Sequence, residues 1–289
     1  MSFLLLFINE NIHAAHPLIT DDTGTQGKGK FELEFNGEYG YERTHQEREF
    51  STSTQFTMTY GIIDKLDLSV NFPYQSVKIR TYPIIGLFNK EAGSDDLKAF
   101  IAATYDDWAP LFKRTTSTES GFGDNSVELK WNFLESGRFN FALKPGISVP
   151  TGGDLGAGKF GAYGFLITTI NLEPFTIHVN LGYIRNENTV HEKKDIWHAS
   201  AACEFELVKG FRLVANTGAE RNPEKSTRVN LTRRDPRDPD RITGMPPVFV
   251  LGGFIWSPTE NFDFDAGFKY GLTKAETDYS AMSGVTIRF

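Results

Sequence analysis

The sequence predicts an all-β fold, a transmembrane antiparallel up-and-down β-barrel of about twelve strands, of the outer-membrane type. Three observations carry this. Apolar and polar residues alternate with period two through run after run, and the connections between runs alternate between short and long. No stretch reaches the ~20 continuous apolar residues of a membrane helix. Since only helices and closed barrels satisfy every backbone polar group in hydrocarbon, any crossing falls to strands.

The first 15 residues, MSFLLLFINENIHAA, carry an apolar run from Phe3 to Ile8 and then Ala14 and Ala15. They read as the remnant of a secretory signal peptide, although no Lys or Arg precedes the apolar run. The alternative is an ordinary N-terminal strand or helix. On the signal reading the mature chain starts near His16, and 16–289 forms a single barrel domain, since no linker divides it into blocks of different composition.

The runs follow in order. FELEFNGEYGY sets Phe31, Leu33, Phe35, Tyr39 and Tyr41 against Glu32, Glu34, Asn36 and Glu38. FSTSTQFTMTY sets Phe50, Phe56, Met58 and Tyr60 against Gln55, Thr57 and Thr59, and LDLSVNFPY sets Leu66, Leu68, Val70 and Phe72 against Asp67, Ser69 and Asn71. VELKWNF opposes Val127, Leu129, Trp131 and Phe133 to Glu128, Lys130 and Asn132. The fifth run opposes Phe139, Phe141, Leu143 and Ile147 to Asn140, Lys144 and Ser148, whereas the sixth, around Tyr163 to Ile170, alternates poorly. The seventh sets Phe175, Ile177, Val179 and Leu181 against His178 and Asn180, and the eighth sets Trp197, Ala199, Ala201 and Cys203 against His198, Ser200 and Glu204. The ninth, from Phe211 to Glu220, places Leu213 and Ala215 opposite Arg212 and Asn216, and Val248 to Trp256 is the tenth. The eleventh opposes Phe262, Phe264, Ala266 and Phe268 to Asp263, Asp265 and Lys269; the twelfth runs from Tyr279 to Phe289. GIIDK, ESGR, NLEP, VKG and SPTEN are the short connections, which places them on the periplasmic rim. An even count returns the C-terminus to the rim where the chain entered.

Alternation alone does not say which face meets lipid. A soluble barrel of this size would have to fill a wide lumen with these apolar residues, leaving voids that packing does not tolerate. Turned outward, the same rings meet acyl chains and the carboxylates line water. Composition agrees: a mean hydropathy of −0.33 is too polar for helical spans, while 13% aromatic residues favour strands. Tyr39, Tyr60, Tyr74, Tyr183, Trp197, Trp256 and Tyr270 gather near run ends, as interfacial girdles do.

The chain ends VTIRF, with Val285, Ile287 and Phe289 on one face, and this looks like the insertion signal read by the outer-membrane barrel assembly machinery. HPLITDDTGTQGKGKFELEFNGEY, YGIIDKLDLSVNFPY and SGFGDNSVELKWNF together resemble the outer-membrane barrel family labelled MetA-pathway of phenol degradation. The resemblance covers the first half well and is looser beyond Pro150. It implies a cell outer-membrane location and passage of small, aromatic or hydrophobic solutes.

By parity the lumen-lining candidates are Glu32, Glu34, Glu38, Asp67, Glu128, Lys130, Lys144, His178, Glu204, Arg212, Asp263, Asp265, Lys269 and Arg288. Acids outnumber bases among them, a lining that favours cations or neutral polar solutes. The alternative is that they form cross-lumen ion pairs that only occupy the interior. His198 and Ser200 resemble the pair of an outer-membrane phospholipase, but parity turns both inward and no orienting Asn or Asp can be assigned. From Arg80 to Gly121 the chain is long for a hairpin loop, and Leu97, Phe100, Ile101, Thr104, Tyr105 and Trp108 recur at helical spacing. A helix from Ser94 to Pro110 acting as a lid over the outer mouth is one reading, a surface loop on the rim the other. The loop from Asn222 to Pro247 carries Arg228, Arg233, Arg234, Arg237 and Arg241, which either grip lipopolysaccharide phosphates or form a solvated face.

No zinc-spaced Cys/His set, phosphate-cradling Gly loop or dinucleotide fingerprint occurs, so no metal or cofactor is expected. The net charge of −7 argues against nucleic acid as a partner. Cys203 stands alone and cannot form an intrachain disulfide. The expected function is passive passage of small solutes across the outer membrane; a plugged structural or adhesion barrel and a lipid-processing enzyme are the alternatives.

Overall fold

The alternation becomes strand wherever it was clean. The computed structural model describes residues 17–44, 47–82, 115–153, 155–187, 194–221 and 246–289. They form β1 (Phe31–Arg43), β2 (Glu47–Ile63), β3 (Leu66–Thr81), β4 (Thr115–Phe122), β5 (Asn125–Ser136), β6 (Phe139–Val149) and β7 (Gly161–Leu172). β8 (Phe175–Arg185), β9 (Asp195–Val208), β10 (Phe211–Arg221), β11 (Val248–Thr259), β12 (Phe262–Gly271) and β13 (Tyr279–Arg288) follow.

Neighbours in sequence pair antiparallel around the sheet, and β1 closes it against β13 in continuous register from Glu32↔Arg288 to Tyr41↔Tyr279. At the seam the Phe31 N–H donates to Phe289 O at 2.8 Å and the Phe289 N–H to Phe31 O at 3.0 Å. Closure removes the unpaired edges that hydrocarbon would not solvate. The five short connections reduce to Asp64-Lys65, Gly137-Arg138, Glu173-Pro174, Lys209-Gly210 and Glu260-Asn261, all on the rim that carries Phe31 and Phe289.

Twelve strands make the closed wall and β4 is additional, so the sequence reading of twelve misses one strand. The lower half of β3, Leu66 to Asn71, pairs with β5, and its upper half, Tyr74 to Thr81, pairs with β4. β4 and β5 therefore descend the same edge of β3, interrupted at Gly123 and Asp124. Asp124 fills the break: its carboxylate accepts from the Gly152 N–H at 2.8 Å and the Ala157 N–H at 2.7 Å. Residues 115–122, read from sequence as part of a long loop, are thus strand; the helix expected at 94–110 lies outside the described residues. So do the signal remnant and most of the Arg-rich loop.

Which face meets lipid is settled by particular side chains. Phe35 is 55% exposed, Leu181 55% and Trp131 51%, while Asp265 is 1% exposed and Asp67 fully buried. Apolar residues face out and polar residues in, the inverse of a soluble fold. Outside, rings pack across strands, as Phe35 on Phe56 at 4.7 Å between centroids and Tyr183 on Trp197 at 5.1 Å. Among the described residues no helix is long and apolar enough to cross a membrane.

β7 explains why the sixth run was unclear. Tyr163, Phe165 and Ile167 turn inward, with Phe165 1% and Ile167 0% exposed. Each ring lies over a glycine of the neighbouring strand: a Cβ at Gly182 would stand 1.9 Å from the Phe165 ring, and one at Gly146 would stand 2.2 Å from the Tyr163 ring. The missing side chains let these rings lie flat on the wall instead of projecting across the lumen.

Candidate functional site inside the barrel

A segment before the first strand, Pro17 to Lys30, runs up inside the lumen. At the short-turn rim Gly27 and Gly29 take φ of 85° and 79°, left-handed values that cost other residues energy. They reverse the chain from β1 into the barrel. The Gly29 N–H donates to Gly61 O at 2.8 Å and the Lys28 N–H to the Asp64 carboxylate at 3.2 Å. The approach is so close that a Cβ at Gly61 would stand 1.9 Å from Gly27 O.

Above the rim the wall supplies the hydrogen bonds that an isolated strand lacks. The Gln26 N–H donates to Asp67 Oδ2 at 2.9 Å, Asn132 Nδ2 to Thr23 O at 3.1 Å and the Thr23 N–H to Thr169 Oγ1 at 3.1 Å. In the amide orientation that satisfies both atoms, Asn180 donates to Asp21 O at 2.9 Å and accepts from the Asp21 N–H at 2.6 Å. Asn216 accepts from the Ile19 N–H at 2.8 Å and donates to Thr20 Oγ1 at 2.6 Å. Apolar contacts complete the fit: Leu18 clusters with Ala202, Val214 and Ile255, and Ile19 packs on Phe249, Leu251 and Met282. Pro17 occupies the space over Gly267.

Asp21 is the electrostatic centre. Its carboxylate lies 2.9 Å from Lys144 Nζ and 3.2 Å from Lys130 Nζ, with all three side chains largely buried. Lys144 also meets Glu128 at 3.0 Å, Glu128 accepts from the Tyr163 hydroxyl at 2.7 Å, and Lys130 reaches Asp22 at 3.8 Å. Two lysines drawn from β5 and β6 thus hold the segment through one acid.

The structure places every parity-derived candidate on the inward face. It gathers them into separate networks. Besides the Asp21 centre, Arg288 joins Glu32 at 2.7 Å and Asp263 at 2.8 Å near the rim. Glu204 takes Arg212 at 2.7 Å and lies 3.4 Å from His178, whose other ring nitrogen is 2.9 Å from Thr169 Oγ1. Toward the outer end Lys269 bridges Glu38 at 3.1 Å and Glu276 at 3.3 Å. Burial pushes the Glu276 carboxyl above its ordinary range, although Lys269 opposes that. Glu34 and Asp67 face a cavity of about 370 Å³ beside the internal segment, lined from β1 to β3, β5, β6 and β10 to β13, and Asp265 is buried in the wall of β12.

Sequence reasoning missed Asp21, Asp22, Asn180, Asn216 and Glu220 as site residues. Glu220 bears on the phospholipase-like pair: His198 Nε2 lies 3.0 Å from Ser200 Oγ and His198 Nδ1 lies 3.2 Å from Glu220 Oε1. Both His198 and Ser200 are about 5% exposed, the His198 ring packs edge-on against Phe165, and a Cβ at Gly218 would stand 3.1 Å from Ser200 Cβ. The three groups satisfy one another within the wall.

Residues 91–289 match the family described as "Putative MetA-pathway of phenol degradation". The chain belongs to this family. The match extends well beyond Pro150, where the resemblance by motif thinned, and begins after the Gly-rich stretch that first suggested it. The fold is also that of an outer-membrane channel of Pseudomonas putida F1, at 11% identity, TM-score 0.59, and coverage of 93% of this chain and 98% of that one. The NanC porin matches at 8% identity, TM-score 0.53, and coverage of 88% and 98%. No curated protein sequence matches the chain. This member of the family has the fold of an outer-membrane barrel.

Proposed function

We propose that the barrel is a passive outer-membrane channel for small solutes, aromatic or hydrophobic compounds among them. The observation that carries this is the interior: polar side chains and an internal segment line a cavity of about 370 Å³ in place of a solid core. The size suits a solute of one or two rings. Inward Tyr163, Phe165, Ile184 and Ile196 form an apolar cluster along β7 to β9, packed into the wall apart from the polar cavity. The two similar structures are those of a channel and a porin. The reading involves no covalent step, and lipid reaches only the outer face. Val285, Ile287 and Phe289, outward on the last strand, serve as the insertion signal for the assembly machinery, with outer-membrane lipid and lipopolysaccharide as the surroundings.

Reconstitution into planar bilayers and liposome swelling with a panel of sugars, amino acids and simple aromatics test the proposal. Stable conductance with faster swelling for the aromatics is expected. A second reading, a barrel sealed by its own segment, is favoured by the Asp21 clamp; silence of the wild type in both assays, with conductance appearing in a variant lacking residues 17–24, would establish it and overturn the channel.

A further inference from the structure

We propose that the cavity beside the internal segment is a site for a monovalent cation, held by Asp67 and Glu34. The proposal deepens the channel reading, on which its role in transport rests, by naming the charge of what passes.

The argument is one of unmatched charge. Four cations line the cavity, Lys130, Lys144, Arg212 and Arg288. Each is already paired: Lys130 with Asp21 and Asp22, Lys144 with Asp21 and Glu128, Arg212 with Glu204, and Arg288 with Glu32 and Asp263. Two carboxylates are left over. Among the described residues Glu34 has no cation at ion-pair distance; its carboxyl hydrogen-bonds that of Glu32 and accepts from Asn36 Nδ2 at 3.4 Å. Asp67, a residue of the cavity lining, is 0% exposed; its Oδ2 accepts from the Gln26 N–H, and its buried Oδ1 has no hydrogen-bond partner. A buried carboxylate oxygen with nothing to accept from is costly, by about 1–3 kcal/mol or more for a charged group. A bound cation would remove that cost.

The remaining lining suits the same guest. Thr57, Thr59, Ser69 and Asn71 on the inward faces of β2 and β3 present hydroxyl and amide oxygens, the hard donors that replace water around a small cation. No three carboxylates or imidazoles converge among the described residues as a tightly held divalent metal needs. The site therefore fits a singly charged ion or the ammonium group of a solute, bound weakly enough to leave.

The test is the reversal potential of the reconstituted barrel in an approximately tenfold KCl gradient, for which perfect selectivity gives about 59 mV. Wild type is expected on the cation side at more than half that value, with butylammonium blocking the K⁺ current if ammonium groups use the site and leaving it unchanged if inorganic ions alone do. Either result supports a monovalent-cation site. The pair of substitutions Glu34→Gln and Asp67→Asn is expected to move the potential most of the way to zero while heat-modifiable migration stays that of a folded barrel. If Asp67→Asn fails to fold, Glu34→Gln alone is expected to lose part of the selectivity. A conducting wild type without cation preference, or variants that keep it, would overturn the site. A non-conducting wild type would overturn the channel reading instead, and the site would then stand or fall on thallium(I)-soaked crystals: an anomalous peak beside Asp67 Oδ1 is expected, and its absence refutes the site.

Discussion

Replacing Asp21 with Ala isolates what holds the internal segment in place. The substitution removes the acid shared by Lys130 and Lys144, at 3.2 and 2.9 Å, but leaves the Asn180 bonds to the Asp21 backbone intact. Breaking a buried ion pair costs about 3–5 kcal/mol, because the partner charge stays behind uncompensated. Here the lower end applies, since Lys144 keeps Glu128 at 3.0 Å and Lys130 keeps Asp22 at 3.8 Å. At 1.36 kcal/mol per tenfold, about 3 kcal/mol shifts the docked-to-released equilibrium of the segment by roughly a hundredfold. Maleimide labelling of Thr23→Cys in a Cys203→Ala background reads that equilibrium, because Thr23 is buried while docked. The labelling rate is expected to rise by about the same factor while closing remains fast, and mean single-channel conductance to rise with it. Labelling within about twofold of the parent would show that the lysines do not hold the segment through Asp21.

Two further substitutions test the wall. Leu181→Arg places a charge on a lipid-facing position that is 55% exposed; it is expected to destabilise the barrel by about 2–4 kcal/mol if Leu181 lies near the bilayer midplane, read as a lower midpoint in urea unfolding from lipid vesicles. A loss under about 0.5 kcal/mol would contradict the assignment of that face. Gly182→Ala sets a methyl 1.9 Å from the Phe165 ring, forcing the ring off the wall at about 1–3 kcal/mol. Conductance is expected to fall, and adding Phe165→Ala should restore it; an unchanged conductance in the single variant would show that the ring already projects.

How much of this the sequence disclosed depended on whether information lay along one strand or across several. The run from Phe31 to Tyr41 carries its own answer, since each greasy residue is flanked by polar ones and the barrel geometry turns them apart. The five short connections were likewise legible as local turns. β7 was not, because Phe165 and Ile167 are tolerated inward only through Gly182 and Ala142 on neighbouring strands, which no single-strand pattern reveals. β4, with the sequence TTSTESGF, alternates nothing: exposed along nearly its whole length and paired only to β3 among the described residues, it has no lipid face to encode. The site was readable by parity for strand residues and opaque elsewhere. Asp21 and Asp22 sit in TDDTG, a stretch without periodicity, so nothing marked them as lumen residues; the glycines of QGKGK are the signal that the chain reverses there.

The internal segment also explains why this interior can be so heavily charged. Twelve strands enclose more space than their own inward side chains fill, and an empty polar lumen would leave Lys144 facing Glu128 alone and Asn180 and Asn216 without their present partners. By entering from the rim, Pro17 to Lys30 brings two acids to the lysines and a backbone to the amides, while Leu18 and Ile19 cover the inward apolar residues of β9 to β13. The same contacts divide the lumen: amides and lysines of β5 to β10 hold the segment above, Gly61 and Asp67 of β2 and β3 hold it near the rim, and a cavity remains beside it. Glu34 and Asp67, which line that cavity, have no cation at ion-pair distance among the described residues, whereas Glu32 beside them has Arg288. The place of the cavity in the lumen thus follows from where one short segment finds its hydrogen bonds.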